Sequence, residues 1–175
     1  MASNIITYSI AREWLEGLIG KQTFSMRAFS GGGRGRKGSG AMHDWDSYDV
    51  FRKEKNVPSG KHTHGGPLPP GIYICRYVAN HPKFHECVFL EQTITSIFDV
   101  DAQANIRFYH RDAFYIHGRG EHGSDGCIVP EDNKLRLRLN AAIRDAEKDD
   151  SSVLLKVVDR GMPLPAARGT AVHTA

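Results

Sequence analysis

Three cysteines in 175 residues are too few for a disulfide scaffold, and an odd count leaves at least one thiol unpaired. Also missing is any apolar run approaching the ~18 residues of a membrane span, so a soluble protein is expected. Charge of one sign is lacking too. Lysine and arginine total 23 against 20 acidic residues, a net charge of +3 that does not announce a nucleic-acid binder. No segment repeats at a fixed period. The opening residues, MASNIITYSIAR, hold neither the basic segment nor the apolar stretch of a secretory signal, so synthesis in the cytoplasm without one is expected. What is present is a composition 40% hydrophobic and 25% charged, enough for a packed core. This length suits a single domain, expected over residues 1–160, with a loose tail at 161–175 marked by Pro163 and Pro165.

The first thirty residues permit two readings. Ile10, Trp14, Leu15, Leu18 and Ile19 suit one face of a helix, but Gly17 and Gly20 would each cost about 1 kcal/mol there. Alternatively, two strands lead into Gln22–Phe29, where Phe24, Met26 and Ala28 alternate with polar residues. Residues 30–70 are rich in Gly, Pro and Ser, a long connection of the kind that often carries function. Short β-branched and aromatic runs follow at Gly71–Val78, Glu86–Glu91, Asn105–His110 and Ala113–His117. After Cys127 the period changes. Leu135, Leu139, Ala142, Ile143 and Ala146 form one helical stripe, with Pro130 suited to the first turn and Glu131 and Asp132 to the positive end of the dipole. Ser152–Asp159 reads as a last strand.

Chemistry concentrates in the segment Phe114-Tyr-Ile-His117-Gly-Arg-Gly-Glu-His-Gly-Ser124-Asp-Gly126-Cys127-Ile-Val-Pro130. A strand ends on a histidine, a glycine-rich loop follows, and a cysteine precedes a helix. A helix N-terminus favours the nucleophilic thiolate, and a histidine across the loop can take its proton and return it to a leaving group. Gly126 lets the backbone approach a substrate closely, and N–H groups around Cys127 can hold an oxyanion. The competing reading is an inert buried thiol and a satisfied core histidine.

His117-Gly118 followed by Ser124-Asp125-Gly126-Cys127-Ile128 resembles the catalytic signature of the L,D-transpeptidase domain family. The resemblance makes Cys127 the nucleophile and His117 the base. It has the Gly118 carbonyl orienting the imidazole, Ser124 supplying the motif hydroxyl, and Gly126 with Cys127 framing the oxyanion hole. The spacer is shorter than in the cross-linking members, Asp125 replaces a second histidine, and Val129 replaces Arg or Asn. These features are more similar to the branch deployed as type VI secretion effectors. Phe29-Ser30-Gly31-Gly32-Gly33 and Gly66-Pro67-Leu68-Pro69-Pro70-Gly71-Ile72-Tyr73 resemble two further elements of that branch. The resemblance favours strands at the N-terminus and implies a mainly β fold, a sandwich or partial barrel, with one helix after the cysteine. It further implies a peptidoglycan stem-peptide substrate, Arg119 and Asp125 as substrate-binding residues, no cofactor and no metal. The implied partners are an immunity protein and a secretion component, with action in the periplasm of a target cell. A murein-binding domain without activity and another type of cysteine peptidase or amidase are the alternatives.

Other clusters are weaker. His62-x-His64, His81-x-x-x-His85-x-Cys87 and Cys75 contain zinc-ligand types at spacings that match no standard zinc site, and solvated loop histidines are expected instead. Cys75 and Cys87 lie in successive predicted strands, where pairing is open. Arg34, Arg36 and Lys37 form a basic stretch without interleaved aromatics, expected to be a solvated loop or a site for stem carboxylates.

Overall fold

The computed structural model describes residues 4–31, 67–68, 71–93, 113–118, 124 and 126–158. Three strands open the chain: β1 (Ile5–Ser9), β2 (Trp14–Ile19) and β3 (Gln22–Phe29). They are followed by β4 (Gly71–His81), β5 (His85–Gln92), β6 (Tyr115–Ile116) and β7 (Val129–Pro130). Helix α1 (Asn133–Lys148) and strand β8 (Val153–Val158) complete the described elements. The expected mainly β class with a helix after Cys127 is what the chain forms.

Eight strands run in the order β6-β5-β4-β8-β1-β2-β3-β7. β1 lies inside the sheet, parallel to β8 and antiparallel to β2, with Ile6 opposite both Leu155 and Gly17. Its inward side chains are Ile6 and Tyr8, and the same alternation buries Phe24, Met26 and Ala28 on β3 and Val153, Leu155 and Val157 on β8. This is the strand reading of the N-terminus, and the helical spacing of Ile10 to Ile19 is incidental. The ends of the sheet then meet. An isolated parallel bridge joins Ile116 of β6 to Ile128, next to β7. Its bonds run from His117 N to the Ile128 carbonyl (3.1 Å) and from Ile128 N to the Tyr115 carbonyl (2.9 Å). The sheet is thereby nearly closed into a barrel, and the bridge is its seam.

α1 packs Leu139, Ala142 and Ile143 into the common core, with Leu135 and Ala146 beside them. The start of the helix differs from the sequence expectation. Pro130 is in β7, opposite Ala28, and Asp132 is the N-cap, its carboxylate accepting from Lys134 N (2.8 Å) and Leu135 N (3.1 Å). Proline's fixed φ and missing N–H suit a strand edge as well as a first helical turn, which is why the residue alone misleads. The expected strand Ala113–His117 is likewise trimmed to Tyr115–Ile116, since Ala113 takes a left-handed φ of 58°. Asn105–His110, the stretch Arg34–Lys37, His62 and His64, and the tail at 161–175 lie outside the described residues.

Candidate active site

His117 and Cys127 flank the seam, one just after Ile116 and the other just before Ile128. Continuing the bridge's register by one residue sets Cys127 opposite Tyr115, and the Tyr115 N–H donates to Cys127 Sγ at 3.3 Å. His117 is two residues beyond Tyr115, so alternation makes it a diagonal neighbour of Cys127, a relation that spans roughly 7–8 Å between backbones. Long side chains bridge that span.

The imidazole of His117 is buried, and its orientation is fixed. Nδ1 lies 2.8 Å from the Gly118 carbonyl. A carbonyl only accepts, so Nδ1 carries the proton and Nε2 is left with the lone pair. Burial lowers the pKa of His117 below the ordinary histidine value, and the nearby positive charges of Lys83, Arg136 and His81 act in the same direction. The hydrogen bond to Gly118 opposes them. A histidine held neutral near pH 7 with Nε2 open is in the correct state to accept a proton.

Cys127 is half-buried, whereas Cys75 and Cys87 are buried, and all three are free thiols. Its sulfur sits between a donor and an acceptor, the Tyr115 N–H and the Ala113 carbonyl at 3.9 Å. The N–H favours thiolate and the carbonyl favours thiol, so loss of the proton strengthens one contact as it removes the other. Ser124 is buried, and its hydroxyl donates to the Cys127 carbonyl while its N–H donates to the Gly31 carbonyl at 3.0 Å. The Gly126 carbonyl accepts from Ser30 Oγ at 3.1 Å, and Ser30 Oγ accepts from Leu68 N at 2.8 Å. One buried hydroxyl therefore joins the end of β3, the Pro67–Leu68 segment and the cysteine loop.

Five expected site residues, His117, Gly118, Ser124, Gly126 and Cys127, thus come together at the seam. Arg119 and Asp125 lie outside the described residues. The helix N-terminus expected directly behind the cysteine is not there, because β7 intervenes and α1 starts at Asn133. Cys75 and Cys87 do lie on adjacent strands, but Cys75 faces Leu90 and Cys87 faces Val78, three residues out of register. Burial raises the pKa of both thiols. Among the described residues no three His, Cys, Asp or Glu side chains cluster to hold a metal. His81 instead serves a turn, its Nδ1 accepting from Lys83 N and Phe84 N, both at 3.1 Å.

Sequence reasoning missed Ser30, Phe84 and Arg136. Phe84 stacks on His117 with ring centroids 3.9 Å apart and planes 7° from parallel. Arg136 is buried on α1, with Nε donating to Asn133 Oδ1 (2.8 Å) and Nη1 to the Glu86 carbonyl (2.9 Å). Its only trace in the sequence is Arg136 and Asn140 at i, i+4 beside the apolar stripe.

Neither a protein-family model nor a curated protein matches the sequence. Among solved structures, the chain is similar to the crystal structure of the L,D-transpeptidase from Xylanimonas cellulosilytica. The identity is 10% and the TM-score 0.43, over 90% of this chain and 61% of that one. This chain therefore spans about three-fifths of that protein's length.

Proposed function

We propose that the protein is a cysteine-dependent acyl transferase or hydrolase acting on the tetrapeptide stems of peptidoglycan. The observation that carries the reading is the paired placement of His117 and Cys127 on the barrel seam, with His117 Nδ1 committed to Gly118 and Nε2 open. The His-Gly and Ser-x-Gly-Cys segments that supply those residues resemble the L,D-transpeptidase signature, and the stem-peptide substrate comes from that resemblance.

In the proposed reaction His117 Nε2 takes the Cys127 proton, and the thiolate attacks the carbonyl carbon of the diamino acid at stem position three. The oxyanion is held by backbone N–H groups of the cysteine loop, whose path is fixed by Ser124 and Ser30. As the C–N bond to the terminal D-alanine breaks, His117 returns the proton to the departing amine and a thioester remains. Water, deprotonated by His117, then releases a tripeptide stem. A D-amino acid or a neighbouring stem amine in place of water gives exchange or cross-linking. Arg119 and Asp125 are the proposed contacts to the stem. Within the same proposal the protein is an antibacterial effector that works in a competitor's periplasm and is neutralised by an immunity protein.

Mass spectrometry of tetrapeptide muropeptides incubated with the purified protein tests the reading. The expected result is loss of one alanine per stem, or its replacement by an added D-amino acid. Cys127→Ala and His117→Ala should each reduce turnover by about 10³-fold or more, and the double variant should be little worse, as for a coupled pair. Wild-type turnover by Cys127→Ala would overturn the mechanism, and stem binding without any turnover would indicate a murein-binding domain.

A further inference from the structure

We propose that Phe84, at the tip of the β4–β5 hairpin, is a positioning residue that sets the plane of the His117 imidazole for proton transfer. The inference rests on His117 being the general base, and its test separates the two claims. A hydrogen bond from Nδ1 to the Gly118 carbonyl fixes one edge of the ring but leaves rotation about the N···O line. A second restraint on the face removes that freedom. Phe84 supplies it, at 3.9 Å between centroids and 7° between planes. Edge and face together leave one orientation for Nε2.

Phe84 is itself held. Its backbone N–H and that of Lys83 both donate to His81 Nδ1, which closes the turn, and its ring stacks on His81 at 4.8 Å and 18°. The tip begins where the β4–β5 register shifts between Val78 and His81, and His85 leaves it with a left-handed φ of 58°. A turn built from a register shift, a side-chain cap and a left-handed residue has a definite shape. Phe84 also touches Tyr115 at 5.4 Å, and the Tyr115 N–H is the donor to Cys127 Sγ. The hairpin tip therefore contacts both halves of the nucleophile–base pair, although the sequence separates it from them. The charged and titratable groups facing the imidazole are His81 and Lys83 from this tip and Arg136 from α1. Deleting the ring while keeping apolar bulk isolates the positioning role from the electrostatic one.

The experiment compares Phe84→Leu with Phe84→Tyr. In Phe84→Leu, kcat for D-alanine release is expected to fall about 10- to 100-fold with KM within about twofold, since misplacing a reacting group costs on that order. Phe84→Tyr keeps the stacking plane and should restore kcat to within about threefold. Wild-type kcat in Phe84→Leu, or an equal loss in a folded Phe84→Tyr, overturns the proposal. Nitrogen NMR of the His117 ring in the free protein gives a readout that needs no substrate. The wild type and Phe84→Tyr should show the single Nδ1–H tautomer, and Phe84→Leu a mixture of tautomers. If the wild type releases no D-alanine, the stem-peptide reading fails and the tautomer spectra decide: a mixture in Phe84→Leu supports the positioning role, and an unchanged spectrum overturns it. If Phe84→Leu does not fold, Phe84→Met takes its place with the same expectations.

Discussion

At Gly118 the chain leaves no room for a methyl group. An added Cβ would lie 2.9 Å from Arg136 Nε and 3.0 Å from both Arg136 Nη2 and Asn133 Oδ1. The guanidinium cannot swing aside cheaply, because Nε and Nη1 are already bonded to Asn133 and the Glu86 carbonyl. The backbone must move instead, and the moving part includes the carbonyl that orients His117. Gly118→Ala is accordingly expected to lower kcat about 10- to 100-fold and stability by about 1–3 kcal/mol, read by D-alanine release and urea unfolding. Restoration of kcat in Gly118→Ala by shortening Arg136 to Ala would place the clash where the geometry puts it. His117 makes a second residue-level prediction, through pH. Burial depresses its folded pKa below the unfolded value near 6.5, so the unfolded chain binds the proton more readily. The stability tied to the neutral ring is present in full above pH 6.5. It is lost as pH falls from there through the lower folded value. His117→Gln should flatten that part of the urea-midpoint profile, and an unaltered slope would show that other groups cause it.

Among the elements, the β1–β2 pair rests on a single small residue. Gly17 has φ +153°, and a Cβ there would sit 2.3 Å from the Ile5 carbonyl oxygen and 2.6 Å from Ile6 Cα, backbone atoms of a buried strand. Gly20, in the two-residue turn between β2 and β3, has φ +58° and no atom within 4 Å of an added Cβ. Gly20→Ala should therefore cost only the left-handed penalty, about 1–2 kcal/mol, whereas Gly17→Ala should cost about 3 kcal/mol or more. Denaturant midpoints for the two variants check the ranking. The same residues mark the limit of what the sequence shows. Both glycines count against a helix, but only tertiary pairing reveals that one spaces two strands and the other turns a hairpin. β3, β4, β5 and β8 are legible in alternation, and α1 in its stripe, because each repeats long enough to have a period. β6 and β7 have two residues each, and no period exists at that length. For the site, His117, Gly118, Ser124, Gly126 and Cys127 stand out as a local pattern. Ser30, Phe84 and Arg136 do not, since each acquires its meaning from a partner brought near by folding.

For the molecule as a whole, closure of the sheet and assembly of the site are one event. The strongly paired interior is β4, β8, β1, β2 and β3, with β4 running 11 residues. The seam is narrow by comparison. It consists of the Ile116–Ile128 bridge, two-residue strands on either side, and the ties made by Ser124 to Gly31 and by Ser30 to Gly126. Regions with few backbone bonds open at lower free energy than the core, so the seam should part before the sheet melts. Amides of His117 and Ile128 should then exchange at least about tenfold faster than those of central β1 and β8, equivalent to ~1.4 kcal/mol of opening free energy. Because His117 and Cys127 sit on opposite lips, D-alanine release should disappear at a lower urea concentration than the far-ultraviolet signal of the sheet. Ser30→Ala removes the buried hydroxyl that joins the cysteine loop to β3 and leaves the Leu68 N–H without its acceptor, at a cost of about 1–3 kcal/mol. That cost falls on the seam, so the variant should lose activity at still lower urea and widen the gap between the two transitions. Coincident loss of activity and structure in both proteins would mean that the barrel opens only by unfolding.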